Sequence, residues 1–385
     1  MKRILVVGAG FSGAVIAREL ADAGHTVLVI EASNHVAGHA YTERDERTGI
    51  MLHAHGPHIF NTDDEEIWNY VNGFASFRPF INRVKARNLR GIFSFPINLH
   101  TINQFFDKSF GPIGARRFIE GLCVSSPTEP RNFEEKALAL VGEELYLWFL
   151  KGYTQKQWGR SAREIPASVL DRLPMRFDYN DNYYSVQYQG IPVDGYTSLV
   201  QAILMHENIE VMLDQKWDGL VTGAIEFEHV FYSGAIDDFF GGKHGRLSYR
   251  TLDFTRVEGL GDLQGNAIIN YTDLSEPYTR VFEHKHFAPW ESHDRSVAFT
   301  EFSREAGTGD PLFYPVRLPR DIAVFEKYQL EANAMSDRVT FTGRLGLYRY
   351  LDMDDVIRLA LDTARAYLKE NATPERTFVR GIRRR

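Results

Sequence analysis

The chain has 385 residues, of which 44% are apolar and 25% charged, a composition typical of an ordered globular protein with two or three lobes. Its formal charge of -7 argues against nucleic acid as a partner, and its apolar runs are far shorter than the ~20 residues that span a bilayer. One cysteine, Cys123, excludes an internal disulfide and a cysteine-ligated metal, and a start without a signal-peptide pattern predicts a cytoplasmic protein.

The hydrophobic pattern predicts a βαβ unit at the N-terminus, with a buried strand over 3–8, a helix over 12–23 and a second strand over 26–31. From about 105–159 the pattern is helical, which indicates an inserted lobe. Over 183–313, short aromatic segments separated by turns predict an antiparallel sheet. The last stretch predicts a strand, an aromatic loop and an amphipathic helix before an arginine-rich tail.

A glycine motif follows the first predicted strand and begins the first predicted helix. Gly8, Gly10 and Gly13 match G-x-G-x-x-G, and Glu31 ends the second strand 23 residues after Gly8. In such a unit Gly8 makes the tight turn, Gly10 lets the backbone approach a pyrophosphate, and Gly13 lets helix and strand pack closely. Glu31 would accept hydrogen bonds from the adenosine ribose. The pattern therefore predicts a dinucleotide site, for FAD or NAD.

The strand-loop-helix element near the end of the chain is expected to return to this domain. It contains Gly343-Arg344 and Tyr350, and its helix begins at Asp352 and Met353. The N-terminus of that helix would face a flavin ring or its ribityl chain. Taken alone, Asp352 is equally well interpreted as an ordinary helix cap.

Three histidines in LHAHGPHIF, His53, His55 and His58, alternate as a strand would place them. One strand face with three imidazoles could be taken for a metal cluster. No carboxylate or cysteine partner is evident in the motif, so we expect no metal there.

Nine motifs along nearly the whole chain resemble the bacterial UDP-galactopyranose mutase family. Lys151 to Ala162 is the most diagnostic stretch. The motifs are GAGFSGAVIAREL, HGPHIF, LVGEELY, KGYTQKQWGRSAREIPA, YQGIPVDGYTSL, YRTLDF, QGNAIINYTD, PYTRVFEHKHF and GRLGLYRYLDM.

The resemblance implies an FAD enzyme that interconverts UDP-α-D-galactopyranose and UDP-α-D-galactofuranose without net oxidation. In that chemistry nitrogen 5 of reduced flavin attacks the anomeric carbon, UDP departs, and the sugar opens as a covalent adduct before reclosing. The family also implies a cytoplasmic homodimer that supplies galactofuranose for surface glycans.

The expected fold is α/β, with a Rossmann-like FAD-binding domain, an inserted helical lobe and an antiparallel β-sheet domain. The expected boundaries are 1–80, about 195–240 and 320–372 for the FAD-binding domain, 98–165 for the helical lobe, 81–97, 166–194 and 241–319 for the sheet domain, and 373–385 for a basic tail.

The resemblance assigns Arg176 and Arg280 to the departing diphosphate and, with His58, to catalysis. A guanidinium engages phosphate bidentately, although an isolated arginine is usually a surface residue. It assigns Phe149, Tyr153, Thr154 and Trp158 to the uridine pocket. Without the resemblance, their spacing would be interpreted as a helical core stripe. The expected substrate residues are Asn82, Phe149, Tyr153, Thr154, Trp158, Arg176, Tyr183, Asn270, Arg280, Glu301, Tyr314 and Tyr350.

The cofactor residues implied by the same resemblance come from six short segments. Three positions depart from the family or weaken its pattern: Ala37 and His39 where the family has glycine and asparagine, and Asn61 where it commonly has a second histidine. A methyl group at Ala37 should still permit FAD binding. The expected FAD residues are Gly8, Gly10, Phe11, Ser12, Gly13, Glu31, Ala32, Gly38, His39, Ala40, His58, Ile59, Gly343, Arg344, Asp352, Met353 and Val356.

Two other functions use the same FAD module. A flavin oxidoreductase of the amine-oxidase type would release hydrogen peroxide, but an amine substrate gives no reason for Arg176, Arg280 and the tyrosine set. A non-catalytic flavoprotein that binds UDP-sugars would bind UDP without turnover, but none of the matched site residues is disabled.

Overall fold

The computed structural model describes residues 3–123, 129–172, 174–218 and 227–371. The predicted tail, 373–385, lies outside the described residues. The strands are β1 (Arg3–Val7), β2 (Thr26–Ile30), β3 (Thr42–Arg44), β4 (Met51–His53), β5 (Phe60–Thr62), β6 (Phe77–Pro79), β7 (Val84–Asn88), β8 (Gly91–Phe95), β9 (Tyr188–Pro192), β10 (Ile209–Met212), β11 (His229–Tyr232), β12 (Tyr249–Leu260), β13 (Ile268–Tyr271), β14 (Arg280–Glu283), β15 (Arg295–Glu305), β16 (Tyr314–Pro315) and β17 (Val339–Phe341).

The α-helices lie between these strands, and a π-helix, Tyr146–Lys151, leads directly into the sixth of them. Short 3₁₀ turns cover Gly38–Ala40, Ala167–Arg172 and His284–Phe287. None of the described helices is both long enough and apolar enough to cross a bilayer. The α-helices are α1 (Phe11–Asp22), α2 (Glu65–Asn72), α3 (Leu99–Phe106), α4 (Pro112–Leu122), α5 (Phe133–Leu145), α6 (Gly152–Trp158), α7 (Gly195–Leu204), α8 (Ile236–Phe239), α9 (Pro319–Ala334), α10 (Gly343–Gly346) and α11 (Met353–Glu370).

The first sheet is parallel, in the order β10-β2-β1-β11-β17. Both faces are covered, which explains the uninterrupted apolar runs of β1 and β2. Ile4 and Val6 pack in the same cluster as residues of α1, α7 and α11, whereas Leu5 and Val7 pack on the opposite face. The predicted βαβ unit and its Rossmann-like character are confirmed, with each element within one residue of its expected bounds.

The largest sheet has seven strands in the order β16-β12-β15-β14-β13-β7-β8. Its pairs are antiparallel, as expected, except that β13 and β7 run parallel. The twelve residues of β12 pair with the eleven of β15 along their length, and Phe254, Phe282 and Phe299 form a cluster of rings across three strands. The strands β7 and β8, within 81–97, therefore join strands of 241–319 in one sheet.

A small antiparallel sheet, β5-β9-β6, includes a strand from the segment 166–194, which was expected to belong to the larger sheet domain. Within 166–194, the strand β9 pairs with strands of the first eighty residues and not with the seven-stranded sheet. Strand alternation identifies which face is buried, but it does not specify which other strand supplies the hydrogen bonds.

The helical lobe expected over 98–165 is present as α3 to α6. The four helices share a core with β7, β8 and β13. Gly142 interrupts α5 with a left-handed φ of 77°, and a Cβ there would lie 2.9 Å from the carbonyl oxygen of Leu122. The close approach of α4 to this kink therefore requires glycine.

Candidate functional site

The glycine turn between β1 and α1 has two crowded glycines and one open glycine. A Cβ on Gly8, whose φ is 102°, would lie 2.2 Å from Ser233 Oγ, and a Cβ on Gly13 would lie 1.9 Å from the Gly8 carbonyl oxygen. A Cβ on Gly10 would meet nothing nearer than Gly38 Cα, at 4.0 Å. The open face of Gly10 at the N-terminus of α1 fits a pyrophosphate.

Glu31 follows β2 and lies beside this turn. Its carboxylate accepts hydrogen bonds from the backbone N–H of Ala9, at 2.8 Å, and of Ser33, at 2.9 Å. Each carboxylate oxygen has a further lone pair, so these two bonds leave room for ribose hydroxyls. Glu31 thus holds the glycine turn in place and remains suited to a ribose.

The C-terminal strand-loop-helix element meets the glycine turn, as the sequence predicts. The hydroxyls of Ser12 and Thr342 lie 3.0 Å apart, and Gly343, with a φ of 70°, comes next in the chain. A Cβ on Gly343 would contact Ser12 and Ser233 at 3.4 Å. The open glycine, the carboxylate and this returning element together form a cradle that fits FAD.

Ala37 occupies a position that favours glycine. Its φ is 77°, it is buried, and its N–H donates to the carbonyl oxygen of Ala9 at 2.9 Å. An L-residue in this conformation costs about 1–2 kcal/mol. Gly38 follows with a φ of 51°, and the Cβ it lacks would lie 3.5 Å from Gly10 Cα. The methyl group of Ala37 therefore strains the turn without filling the open face of Gly10.

One cavity of about 350 Å³ gathers most of the residues expected at the flavin ring and the sugar. Thirteen of the expected site residues line it: His39, His58, Ile59, Asn82, Tyr153, Tyr183, Asn270, Arg280, Tyr314, Arg344, Tyr350, Asp352 and Met353. The lining residues that the sequence did not identify as site residues are His55, Gly56, Pro57, Asn61, Val84, Tyr184, Ile268 and Phe313.

The missed residues had weak sequence signals. His55, Gly56 and Pro57 lie within a motif that was recognised, and Tyr184 and Phe313 each adjoin an identified tyrosine. Asn61, Val84 and Ile268 lie on strands, whereas the other five missed residues lie on loops. Neighbouring positions in a loop have no fixed alternation of faces, so periodicity could not select them.

Arg280 lines the cavity and is held by a buried carboxylate. Its Nε and Nη2 atoms lie 2.8 Å and 2.6 Å from Oε2 of Glu301, which is fully buried and also accepts the Thr279 hydroxyl at 2.8 Å. Burial acts to lower the pKa of Arg280, but the Glu301 carboxylate raises it above the ordinary value. Glu301, expected to contact substrate, lies outside the cavity lining and holds Arg280.

Arg176 lies outside the cavity lining. Its guanidinium donates to the carbonyl oxygens of Asn180, at 3.3 Å, and Asn182, and to the Ser185 hydroxyl at 2.6 Å. Burial lowers its pKa, with nearby aspartates opposing. The same loop carries Tyr183, whose N–H donates to the carbonyl oxygen of Asn82 at 2.8 Å. Arg176 is thus bound within its own loop, next to the cavity wall.

The expected uridine residues do not all reach the cavity. Tyr153 lines it, whereas Phe149 is 1% exposed and packs edge-on against Phe93 and Phe105, with ring centroids 5.2 and 5.3 Å apart. Thr154 is buried, and Trp158 is half-buried against the same apolar core. Phe149 therefore occupies the helical core stripe that its spacing also predicted.

Several expected FAD residues also lie outside the cavity lining. Phe11 packs edge-on against Tyr196, at 6.3 Å between ring centroids, in the apolar core of the first domain. Val356 packs against the same core from α11, and Ala40 is buried in it. Ala32 is exposed just beyond β2.

Two tyrosines and an arginine form a stacked group on the cavity wall. The rings of Tyr314 and Tyr350 stack 5.4 Å apart, with 7° between their planes. The Arg344 guanidinium carbon lies 4.9 Å from the Tyr350 ring centre and 5.7 Å from that of Tyr314, and its Nη2 donates to the Leu351 carbonyl oxygen at 2.7 Å. Burial raises the pKa of Tyr314, so its hydroxyl stays a donor.

The three histidines of LHAHGPHIF do not share one strand face, because β4 ends at His53. His53 is buried, and its Nδ1 accepts the backbone N–H of His58 at 3.2 Å. The N–H of His53 in turn donates to Nδ1 of His284 at 3.1 Å. Only His55 and His58 reach the cavity, so the expected alternation is wrong beyond the first histidine.

His58 is a neutral imidazole with a defined tautomer. Its Nδ1 donates to the Gly56 carbonyl oxygen at 2.8 Å, so Nε2 carries the lone pair. Burial, opposed by the Gly56 hydrogen bond and assisted by the Arg344 charge, lowers the pKa of His58 to about 4. At neutral pH Nε2 is a hydrogen-bond acceptor.

His39, where the family has asparagine, stacks on Phe313 with ring centroids 4.4 Å apart and 9° between the planes. Burial is the main cause that lowers its pKa well below the ordinary value, followed by the Arg344 charge. The imidazole is therefore a flat, uncharged part of the cavity wall.

Among the described residues, one group of potential metal ligands lies outside the cavity lining: Asp262, Glu283 and His286. The Glu283 oxygens already accept the N–H groups of Leu263 and Gln264 and the hydroxyl of Ser296. Asp262 pairs with the Lys285 ammonium at 2.6 Å. Hydrogen bonds and an ion pair thus explain why these three side chains lie close together.

A family model and similar proteins relate this chain to one family of enzymes, and a solved structure shares its fold. The UDP-galactopyranose mutase family model matches residues 148–350, and an NAD(P)-binding Rossmann-like domain model matches residues 6–74. The chain is 50% identical to a probable UDP-galactopyranose mutase of Klebsiella pneumoniae, over 97% of both chains. It is 47% identical to a dTDP-fucopyranose mutase of Escherichia coli, over 96% of this chain and 100% of that one. A crystal structure of a reduced UDP-galactopyranose mutase superimposes with a TM-score of 0.75 and 14% identity, covering 96% of this chain and 94% of the other, which shows a shared fold.

Proposed function

This chain belongs to the UDP-galactopyranose mutase family, and from that premise we propose that it interconverts UDP-α-D-galactopyranose and UDP-α-D-galactofuranose. The protein is an isomerase that uses FAD. One observation carries the substrate assignment: Arg280, Arg344 and a stacked tyrosine pair line the same cavity as the residues expected at the flavin ring. Cations and phenolic hydroxyls suit a diphosphate, and an amine substrate would not require them.

The cofactor would be held by the cradle at the glycine turn. Gly10 and the N-terminus of α1 would meet its pyrophosphate, Glu31 its ribose, and the segments at His58 and Asp352 its ring. When bound in reduced form, FAD supplies a nucleophilic nitrogen for the anomeric carbon of the sugar.

The protein residues position the sugar nucleotide and stabilise its leaving group. Arg280, kept charged and oriented by Glu301, would stabilise the negative charge that develops on the departing UDP. The hydroxyls of Tyr314 and Tyr350 would donate to the same diphosphate. The Nε2 lone pair of His58 would accept a hydrogen bond and stay unprotonated at neutral pH.

Arg176 would reach the diphosphate from the 174–185 loop by exchanging its carbonyl partners for phosphate oxygens. Its present partners are two backbone carbonyls and one hydroxyl, and none is a carboxylate. A phosphate is a stronger acceptor than either group, which supports this exchange.

A second candidate substrate is a deoxythymidine diphosphate sugar. The E. coli relative that is named a dTDP-fucopyranose mutase is 47% identical, nearly as similar as the K. pneumoniae relative at 50%. The two substrates share the diphosphate and the ring contraction. They differ at the base methyl, the ribose 2′-hydroxyl and the sugar 6-hydroxyl.

The test is a direct assay of the FAD-loaded protein reduced with dithionite. UDP-galactofuranose and dTDP-fucofuranose are incubated separately, and the pyranose products are separated by chromatography. We expect conversion of the UDP-sugar with the higher kcat/KM. Conversion of neither sugar by protein with bound reduced FAD would refute the mutase function, and preference for the dTDP-sugar would replace the proposed substrate.

We further propose a cytoplasmic homodimer that supplies galactofuranose for surface glycans and binds neither nucleic acid nor membrane. The family resemblance supports the dimer, and the formal charge of -7 argues against nucleic acid. Light scattering after gel filtration should give twice the mass of the chain, and a monomer would contradict the dimer.

A further inference from the structure

Lys156 extends from α6 into the connection between β13 and β14. Its Nζ lies 2.7 Å from the carbonyl oxygens of Tyr271 and Asp273, 3.1 Å from that of Glu276 and 2.8 Å from that of Tyr278. These four oxygens are called the carbonyl ring below. One ammonium group thus closes a turn whose backbone carbonyls point inward.

The turn held by Lys156 separates two residues of the cavity wall. Asn270 precedes the turn on β13, and Arg280 follows it as the first residue of β14. Tyr153, which also lines the cavity, lies on α6 three residues before Lys156 and so near the same helix face. Lys156 therefore connects the helix expected to bind the nucleotide with the hairpin expected to bind the diphosphate.

Backbone contacts place α6 directly against this turn. A Cβ on Gly152 would lie 2.4 Å from the Thr272 carbonyl oxygen, and the Thr272 hydroxyl donates to the Trp148 carbonyl oxygen at 2.7 Å. At the other end of α6, Nε of Arg250 donates to the Gln157 carbonyl oxygen at 2.9 Å. The helix α6 is thus anchored at both ends, and Lys156 holds the β13–β14 turn against it.

The geometry of the carbonyl ring suits a cation. Four carbonyl dipoles directed at one point are stabilised by positive charge, and rings of backbone carbonyls bind potassium ions in the same manner. Removing the ammonium would leave inward carbonyls without donors, and the turn would have to open to reach water. Opening would displace Asn270 and Arg280 together, since they lie at its two ends.

We propose that Lys156 is a positioning residue for the mutase site, which it serves by filling a carbonyl ring that would otherwise bind a monovalent cation. The inference rests on the proposed function for its kinetic readout. Its structural part, ion binding to the emptied ring, is independent of turnover.

The experiment removes the side chain and supplies the cation from solution. Lys156→Ala leaves space for an ammonium or potassium ion, whereas Lys156→Met keeps an aliphatic stem that fills the space. Lys151→Ala, on the preceding π-helix, is the matched lysine control. Melting temperature and kcat/KM of the FAD-loaded proteins are measured in ammonium, potassium and tetramethylammonium chloride at constant ionic strength.

In tetramethylammonium, Lys156→Ala should lose about tenfold or more in kcat/KM, because hydrogen bonds to a charged group are lost at the site. Ammonium or potassium should restore part of this loss and raise the melting temperature. Lys156→Met should show the loss in every salt, and the wild-type protein and Lys151→Ala should show no ion preference.

Wild-type kcat/KM in Lys156→Met would overturn the proposal, and so would a loss in Lys156→Ala that no cation reduces. If Lys156→Ala folds only when ammonium or potassium is present, the proposal is supported. If the wild-type protein lacks mutase activity, the proposed function fails, while the ion dependence of the melting temperature still decides whether the carbonyl ring binds a cation.

Discussion

Arg280 and Glu301 show how one buried pair sets the electrostatics of the cavity. Both contacting nitrogens of Arg280 meet the same carboxylate oxygen, and the Thr279 hydroxyl binds the other oxygen. The buried carboxylate thereby fixes the position of the guanidinium beside the cavity. The site thus keeps a positive charge for a diphosphate without leaving that charge uncompensated in the free protein.

Replacing Glu301 by glutamine tests this role. Glu301→Gln keeps the volume but removes the charge that orients Arg280, so kcat/KM should fall on the order of 10–100-fold. FAD content should be unchanged, since Glu301 lies outside the cavity lining. Steady-state kinetics of the reduced enzyme and flavin absorbance measure the two quantities.

Glu305→Gln is the matched control, because Glu305 is an exposed residue of the same strand whose nearest cation, Arg160, is 4.0 Å away. Its kcat/KM should stay within about twofold of wild type. Equal effects of the two substitutions would contradict the role assigned to Glu301.

At the scale of elements, the glycine turn combines a structural requirement with a binding requirement. Gly13 must be glycine because its missing Cβ would overlap the Gly8 carbonyl oxygen, at 1.9 Å. Gly10 has extended backbone, with φ -76°, that alanine adopts without strain, and the space beside it is open. The fold therefore needs Gly13, whereas the open space beside Gly10 is the proposed place of the cofactor pyrophosphate.

Alanine at each position should separate these two requirements. Gly13→Ala should destabilise the apoprotein by at least about 2 kcal/mol, because strand and helix must move apart. Gly10→Ala should leave the melting temperature of the apoprotein nearly unchanged but weaken FAD binding about tenfold or more, because the methyl blocks the pyrophosphate.

Thermal unfolding of the apoprotein and fluorescence titration with FAD give the two readouts. Gly121→Ala, an exposed helix position with nothing within 4 Å of the added Cβ, is the control; it should leave FAD binding unchanged and should not lower the stability of the apoprotein. Loss of apoprotein stability in Gly10→Ala comparable to that in Gly13→Ala would refute the distinction.

Across the whole molecule, ion pairs join the nucleotide-binding part to the seven-stranded sheet. Asp45, just after β3, forms a bidentate pair with Arg256 of β12, at 2.6 and 2.9 Å. The N–H and hydroxyl of Thr48 donate to the same carboxylate. Asp45 is nearly buried, so the pair is better shielded from water than an ordinary surface pair.

Asp45→Asn should lower the stability of the protein by about 1–2 kcal/mol at pH 7. The Arg256 guanidinium holds the pKa of Asp45 well below its usual value of 3.8. A depressed folded-state pKa gives stability that is present above pH 3.8 and lost as the pH falls below it. The difference in melting temperature between wild type and variant should therefore shrink in acid.

Asp253→Asn breaks a pair with Arg304 in which both side chains are about half exposed, and it serves as the control. Its effect at pH 7 should be within about 0.5 kcal/mol. A difference for Asp45→Asn that stays constant from pH 7 to below pH 3.8 would contradict the assignment.

Local sequence was sufficient to predict the features that are formed by residues close together in the chain. The βαβ unit, the turn from Gly8 to Gly13 and the acid at Glu31 follow from periodicity and backbone sterics, which act over a few positions. Motifs spread along the chain identified the family and thirteen residues of the cavity wall.

Tertiary packing decided the partners of those residues. Glu301 binds Arg280, Lys156 closes a turn more than a hundred residues away, and Phe149 enters a core that uridine was expected to share. The pairing of β9 with β5 and β6 is of the same kind. The sequence by itself determined the candidate residues for the flavin and the diphosphate. Only the folded chain decided which of these residues line the cavity and which instead position the lining residues. Contacts between distant segments depend on how whole layers pack.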